Sequence, residues 1–215
     1  MINSAEISRY SPAEESLNVT SHAIGLVLSI GALVALLRHA IPMDDARLAI
    51  SFCVFGLSLI FLYATSTAYH SSKNQALRGR LRILDHVSIY ILVAGTYTPF
   101  TLITLHGPTG WIIFGASWSM ALSGIILKFF FTGKYRLLST LMYVFMGWVI
   151  VFAIGPLIDK LPQAGLTWLV AGGLAYTLGA ALYSIKKIRF NHAIFHVFVL
   201  LGSSCHFMAV YFYVV

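Results

Sequence analysis

The chain has 215 residues, of which 59% are hydrophobic and only 10% are charged, and its mean hydropathy is +0.84. A soluble domain carries about 25% charged residues, so this chain has too little polar surface to cover a water-facing exterior. The composition excludes an ordinary soluble domain and predicts an integral membrane protein. The net charge of +7 would favour nucleic acid in a soluble protein. Here the basic residues stand between apolar segments, so we expect membrane lipids, not nucleic acid, as partners.

Seven apolar segments, each long enough to cross a bilayer as a helix, follow one another along the chain. A spanning helix needs about 20 apolar residues, and stretches without Asp, Glu, Lys or Arg provide six windows. The window 86–127 is about twice too long for one helix and contains the turn-like sequence His106-Gly107-Pro108-Thr109-Gly110, so it holds two. The predicted helices are 20–40, 48–70, 84–105, 110–131, 137–158, 163–186 and 192–214.

These helices predict one all-α domain, a seven-transmembrane helix bundle over 20–215, preceded by a short cytoplasmic segment over 1–19. Strands are excluded because open sheet edges would leave backbone groups unpaired in hydrocarbon. The first 15 residues contain three Glu and one Arg, unlike the basic start of a secretory signal. The first helix is therefore expected to be an uncleaved anchor.

The distribution of basic residues predicts the orientation of the bundle. Eleven of the 14 Lys and Arg residues fall on one side of the predicted membrane, and three fall on the other. The larger group comprises Arg9, Lys73, Arg78, Arg80, Arg82, Lys128, Lys134, Arg136, Lys186, Lys187 and Arg189; the smaller comprises Arg38, Arg47 and Lys160. Because an excess of Lys and Arg marks the cytoplasmic side, the amino terminus lies in the cytoplasm and the carboxyl terminus outside.

Four ionisable side chains fall at helix ends that this topology places at one depth, near the cytoplasmic face. They are His70 at the end of helix 2, Asp85 at the start of helix 3, and His192 and His196 at the start of helix 7. Such groups are costly in a membrane and indicate a functional site. His192 and His196 are four residues apart, so they share a helix face and can bind one metal ion. With His70 they would give three imidazoles, which leave a fourth position on Zn²⁺ for water.

Two further residues are candidates for the chemistry of such a site. Asp85 would hold the water and accept its proton, since zinc brings the pKa of a bound water to about 7. Ser66 lies four residues before His70 and therefore one turn deeper on the same face. Both residues also have structural explanations, because an acid suits a helix N-terminus and a serine can hydrogen-bond to its own helix.

A weaker candidate lies at the start of helix 1. His22, near Glu15 and Asn18, would either contact the metal ligands without binding the metal itself or cap the helix.

Together these residues carry a resemblance to the hemolysin III proteins of bacteria, which are related to the progestin and adipoQ receptors. The segment Glu14–His22 resembles the opening motif of that family. Ser66-Thr-Ala-Tyr-His70 matches its Ser-x3-His element, and Asp85-His86 follows a basic loop as in the family. Asn191-His192-Ala-Ile-Phe-His196, continuing to Ser204-Cys205-His206-Phe207, matches its last-helix element.

The resemblance implies a multi-pass protein of the bacterial inner membrane in which His70, His192 and His196 bind Zn²⁺. The adiponectin receptors hold zinc in this way, and the similar alkaline ceramidases hydrolyse a lipid amide. The implied activity is therefore zinc-dependent hydrolysis of a lipid amide or ester in lipid homeostasis, with Asp85 as general base and Ser66 orienting the water or carbonyl. Two alternatives stay open: a non-catalytic sensor of membrane state with structural zinc, and a pore-forming cytolysin, as the family name implies.

The predicted orientation can be tested with alkaline phosphatase, which is active only outside the cytoplasm. Fused after Val215, the enzyme is expected to be active, because seven spans that start inside end outside. Inserted between residues 131 and 136, it is expected to be inactive, since that loop belongs to the basic side. The reverse pattern in the two fusions would overturn the orientation.

Overall fold

The computed structural model describes residues 10–131 and 136–214, and all regular secondary structure within these ranges is helical. The α-helices are α1 (Pro12–Ala40), α2 (Ala46–Ser71), α3 (Gln75–Pro99), α4 (Gly107–Phe131), α5 (Arg136–Gly147), α6 (Ile154–Lys160), α7 (Gln163–Ser184) and α8 (Asn191–Tyr213). π-helical turns over Phe100–Leu105 extend α3, a short 3-10 segment covers Ile41–Met43, and another over Val149–Ala153 joins α5 to α6. Within the described residues, seven segments are long and apolar enough to cross a membrane, which confirms the predicted all-α, seven-helix fold.

Two helices begin well before their predicted starts at residues 20 and 84. Helix α1 begins at Pro12, where the Ser11 hydroxyl accepts a hydrogen bond from the Glu14 backbone N–H at 3.2 Å. Helix α3 begins at Gln75 and is capped by Asn74, whose side chain accepts from the Leu77 N–H at 3.1 Å. The predicted starts were wrong because charged residues were excluded from the spans, whereas capped first turns readily carry charge.

The fifth span, predicted as one helix over 137–158, is interrupted at its middle. Its α-helical hydrogen bonding stops at Gly147 and resumes in α6. The Tyr97 hydroxyl lies 2.8 Å from the Gly147 carbonyl and 3.0 Å from the Ile150 N–H, and Trp148 Nε1 donates to Thr177 Oγ1 at 3.0 Å. Neighbouring side chains thus satisfy the polar groups that the break frees, as a break at membrane depth requires.

Helix packing brings the start of α1, the end of α2 and the start of α8 together at one end of the bundle. Helix α1 packs against α2 and α8, and α2 also packs against α3. Outward-facing side chains such as Val27 and Phe152 are 70% and 80% exposed, as expected for surfaces that face lipid. We call the end that carries His70, His192 and His196 the histidine end.

Basic residues separate between the two ends of the bundle where the structure describes them. Arg78 donates to the carbonyl of His70 at the histidine end, whereas Lys160 donates to the carbonyl of Leu105 at the opposite end. Arg9 and Lys134, which were counted with the basic side, lie outside the described residues. Which end faces the cytoplasm stays a prediction.

Gly25 sets the distance between α1 and its two neighbours. A Cβ atom at this position would lie 2.5 Å from Tyr63 Cδ1 and 2.8 Å from Leu200 Cδ2. The Tyr63 ring is itself held by a 2.8 Å hydrogen bond from its hydroxyl to Ser203 Oγ. The close approach of α1 to α2 and α8 therefore depends on the absence of a side chain at Gly25.

We expect Gly25→Ala to lower the stability of the purified protein by about 1–3 kcal/mol, because the added methyl group overpacks a tight contact. The matched control is Gly31→Ala on the same helix, where an added Cβ meets nothing within 4 Å. The control is expected to leave stability unchanged or to raise it slightly through helix propensity. Thermal unfolding in one detergent measures both, and equal midpoints for the two variants would contradict this packing.

Candidate metal centre

Three imidazole rings meet at the histidine end. His70 lies in the last turn of α2, while His192 and His196 lie in the first two turns of α8. The Nε2 atom of His192 is 3.1 Å from Nε2 of His70 and 3.1 Å from Nε2 of His196. Each ring offers a nitrogen within 4.8 Å of the other two, and the three residues are 2–8% exposed. The structure therefore brings together the three predicted ligands.

The chemistry of this arrangement fits a metal ion. A neutral imidazole has one N–H, so His192 Nε2 can donate to one of its two Nε2 neighbours but not to both. A cation at the centre of the three atoms satisfies all of them at once. Zn–N bonds of about 2.0–2.1 Å in a tetrahedral site place neighbouring nitrogens about 3.3 Å apart, close to the observed separations.

A carboxylate orients the first of these rings. Glu15 Oε2 lies 2.7 Å from His70 Nδ1, and Arg78 donates to the other oxygen of the same carboxylate. Asn18 Nδ2 lies 3.4 Å from the same His70 nitrogen. When His70 Nδ1 carries the proton toward Glu15, the lone pair of Nε2 is directed at the centre, which is the usual arrangement around metal-bound histidine.

Backbone and hydroxyl groups of α1 contact the second ring. His196 Nδ1 lies 3.3 Å from the carbonyl oxygen of Asn18 and 3.4 Å from Ser21 Oγ. His192 differs, since its Nδ1 is buried without a hydrogen-bond partner among the described residues. Its backbone N–H donates to Glu14 Oε1 at 3.3 Å. The amino-terminal turns of α1 thus contact the rings of His70 and His196 and the backbone of His192.

An aromatic ring covers the centre. Tyr10, just before α1, stacks on the His192 ring with centroids 4.6 Å apart and an angle of 5° between the planes. The same ring lies 5.8 Å from His70. Tyr10 was not singled out from the sequence, because nothing about a tyrosine before a helix predicts a partner some 180 residues away.

His22 packs against the centre and does not cap α1. Its ring stacks on His196 with centroids 3.5 Å apart and an angle of 11°, and Tyr63 meets it edge-on at 5.1 Å. Ser11 is the residue that caps α1, so the capping interpretation of His22 was wrong. His22 is buried beside the three ligands but does not belong to the group of mutually close nitrogens.

Ser66 and Asp85 line the same cavity as His192 and His196. Ser66 is 1% exposed, and its Oγ has no hydrogen-bond partner among the described residues. Asp85 lies with one carboxylate oxygen 3.7 Å from His86 Nδ1, outside the group of three rings. The roles assigned to both residues stay predictions.

The cavity has a volume of about 200 Å³ and extends from the histidine end into the bundle. Its walls are mostly apolar and include Leu92, Leu157, Leu166 and Val199. The Asp85 carboxylate and most imidazoles of the lining lie at the histidine end, whereas Tyr97, Thr177 and His206 reach the cavity from deeper in the bundle. The site therefore lies at one end of a mostly apolar cavity.

Comparison with known proteins agrees with this architecture. The model of the Haemolysin-III related family matches residues 10–207. The chain belongs to this family. It is similar to Hemolysin-3 of Bacillus cereus, with 46% identity over 201 residues that cover 94% of this chain and 92% of the relative. It is also 31% identical over 218 residues to the human Monocyte to macrophage differentiation factor, covering 95% and 87% of the two chains.

The match confirms the resemblance predicted from the sequence motifs. This haemolysin-III related chain is thus a multi-pass membrane protein with a buried three-histidine group that is able to hold a metal.

Replacing Glu15 by Gln is expected to weaken Zn²⁺ binding about 10–100-fold, because outer carboxylates that orient histidine ligands contribute about this much. The matched control is Asp45→Asn, which alters the capping carboxylate of α2 at the opposite end but retains a good N-cap. Titration of metal-free protein with Zn²⁺ against a competing chelator measures the affinity. Equal affinities for wild type and Glu15→Gln would contradict the orienting role.

Proposed function

We propose that this haemolysin-III related protein is a zinc-dependent hydrolase of lipid amide or ester bonds that acts in membrane lipid homeostasis. The observation that carries the proposal is the convergence of three buried Nε2 atoms at one end of a mostly apolar cavity. His70, His192 and His196 would hold the metal, and the site would lie near the cytoplasmic face. A bound Zn²⁺ supplies a Lewis acid for the carbonyl and lowers the pKa of water.

The cavity would bind the acyl chain and exclude bulk water. Its apolar walls suit a hydrocarbon chain, since burial of apolar surface is favourable by about 25 cal/mol per Å². Because the three histidines lie at one end, a chain seated along Leu92 and Val199 would present its carbonyl to them. Substrate orientation therefore follows from the separation of polar and apolar walls.

Asp85 would move the proton in this reaction. The oxygen of water bonds to the carbonyl carbon, and the Asp85 carboxylate accepts the proton that the water loses. The carbon–nitrogen or carbon–oxygen bond then breaks, and Asp85 returns the proton to the leaving nitrogen or oxygen. Ser66, whose buried Oγ lacks a partner among the described residues, would donate a hydrogen bond to the water or the carbonyl.

A second candidate is a non-catalytic sensor of membrane state. It is supported by the fact that the three rings come from α2 and α8, so that a metal would pin these helices together without any turnover. A pore-forming cytolysin is less well supported, because the cavity walls away from the histidine end are mostly apolar.

We expect Asp85→Asn to reduce lipid hydrolysis by the purified protein about 10²–10⁴-fold, the usual contribution of a general base, while its zinc content stays unchanged. His196→Ala should lose both zinc and activity, and Asp159→Asn in α6 is the control that should lose neither. Mass spectrometry of products from a panel of amide- and ester-linked lipids measures turnover. If Asp85→Asn restored the lipid composition of a deletion strain as well as wild type, the sensor function would be favoured instead.

A further inference from the structure

A further imidazole reaches the cavity far from the three-histidine group. His206, in the second half of α8, is 6% exposed and lines the cavity. It follows His196 by ten residues, so it lies about 15 Å further along the helix. The buried face of α8 carries side chains at intervals of three or four residues, namely His192, His196, Val199, Ser203 and His206. The face that provides two candidate metal ligands therefore also provides a polar side chain deep in the membrane.

The His206 ring packs on a glycine of α7. A Cβ atom at Gly172 would lie 2.7 Å from His206 Nε2 and 2.9 Å from its Cε1, so the ring occupies the space that a side chain at Gly172 would need. Tyr176, one turn later in α7, has its ring centroid 5.3 Å from that of His206. Close packing against α7 thus fixes the position of the imidazole beside the cavity.

The hydrogen-bonding capacity of His206 is not fully used within the protein. Its Nδ1 is buried without a hydrogen-bond partner among the described residues. Neighbouring polar groups, by contrast, are paired. The Tyr63 hydroxyl donates to Ser203 Oγ at 2.8 Å, and the Tyr176 hydroxyl lies 2.9 Å from the same oxygen. Because an unpaired polar group in a dry interior is costly, the ring points to a ligand group that completes its pairing.

We propose that His206 binds a hydroxyl group carried partway along the hydrocarbon chain of the lipid substrate. This inference rests on the proposed function, in which the chain lies in the cavity with its carbonyl at the histidines, and it narrows the substrate class to lipids with a hydroxylated chain. A hydroxyl both donates and accepts, so it pairs with a neutral imidazole in either tautomer. A ketone oxygen only accepts and would pair with the ring N–H alone.

The distance along α8 predicts where the chain carries its hydroxyl. An extended hydrocarbon chain advances about 1.25 Å per carbon, since its carbon–carbon bonds are about 1.5 Å long. With the carbonyl at the three-histidine group, the level of His206 is then reached about 12 carbons along the chain. In the bilayer such a hydroxyl would lie in hydrocarbon without a partner, so the protein offers it a hydrogen bond that the surrounding acyl chains do not.

The test compares octadecanoic acid with its 12-hydroxy and 17-hydroxy derivatives, which differ only in the hydroxyl. Equilibrium binding of each radiolabelled acid to the full-length protein in detergent is measured. Wild type is expected to bind the 12-hydroxy acid about 2–10-fold more tightly than either of the others, the contribution of one neutral hydrogen bond. Equal affinities for the three acids would overturn the proposal, and so would an equal gain from a hydroxyl at carbon 17.

His206→Phe keeps an aromatic ring and removes both nitrogens. It is expected to reverse the preference in favour of octadecanoic acid, because the hydroxyl would then be buried without a partner. The matched control is His39→Phe. The Nε2 of His39 is also buried without a partner among the described residues, but its ring packs against Phe52 and Tyr211 and does not line the cavity. The control should keep the preference for the 12-hydroxy acid, and an unchanged preference in His206→Phe would contradict the assignment.

Two adjacent glycines of α7 provide a second pair of variants that leaves His206 itself in place. Gly172→Ala forces the His206 ring to shift and is expected to lose at least half of the preference. Gly173→Ala is its control, since a Cβ there would meet only Trp148, at an ordinary contact distance of 3.7 Å. If Gly172→Ala kept the full preference, the position of the ring would not matter and the proposal would fail.

Because binding is measured without turnover, the hydroxyl site and the hydrolase can fail separately. Asp85→Asn is expected to keep the preference for the 12-hydroxy acid. A wild-type protein that shows the preference but hydrolyses no lipid would support the hydroxyl site while contradicting the hydrolase. Hydrolysis together with equal affinities for the three acids would do the reverse.

Discussion

The buried Nε2 atom of His192 lies 3.1 Å from Nε2 of both His70 and His196, and this close approach is the constraint on which the histidine end depends. The rings can approach so closely only when a cation or shared protons lie between their lone pairs. Glu15 pairs with His70 and orients its ring, and Arg78 pairs with the same carboxylate and neutralises its charge. In this way α1, α2, α3 and α8 are connected through one polar network at a single end of an otherwise apolar bundle.

The number and order of the helices could be predicted from hydropathy, because each span must cross hydrocarbon with its backbone hydrogen bonds satisfied internally. The starts of α1 and α3 could not, since their capped first turns carry charges that a search for apolar stretches rejects. The break at Gly147 was also missed. It depends on the Tyr97 hydroxyl, which contacts backbone groups on both sides of the break. A local sequence pattern cannot predict a contact with a residue 50 positions away.

The three ligands of the candidate metal centre could be predicted because the sequence gives both the spacing of the histidines and their depth in the membrane. His192 and His196 share a helix face, and the alternation of spans places His70 at their depth. Their supporting groups were harder to assign. From the sequence, Glu15 and His22 could be recognised only as polar residues near the start of α1. Their contacts with particular histidine rings depend on how α1 packs between α2 and α8. Lys128 was counted as an orientation signal, and its burial at the cavity emerges only from the structure.

The stacking of Tyr10 on His192 bears on the kinetics of the centre. The tyrosine precedes α1 and lies flat against a candidate ligand ring at an angle of 5°, so it forms a cover over that side of the three nitrogens. Anything that leaves by this route has to displace this aromatic ring. The residence time of a bound ion would then depend on the displacement of Tyr10 as well as on the strength of the nitrogen–metal bonds.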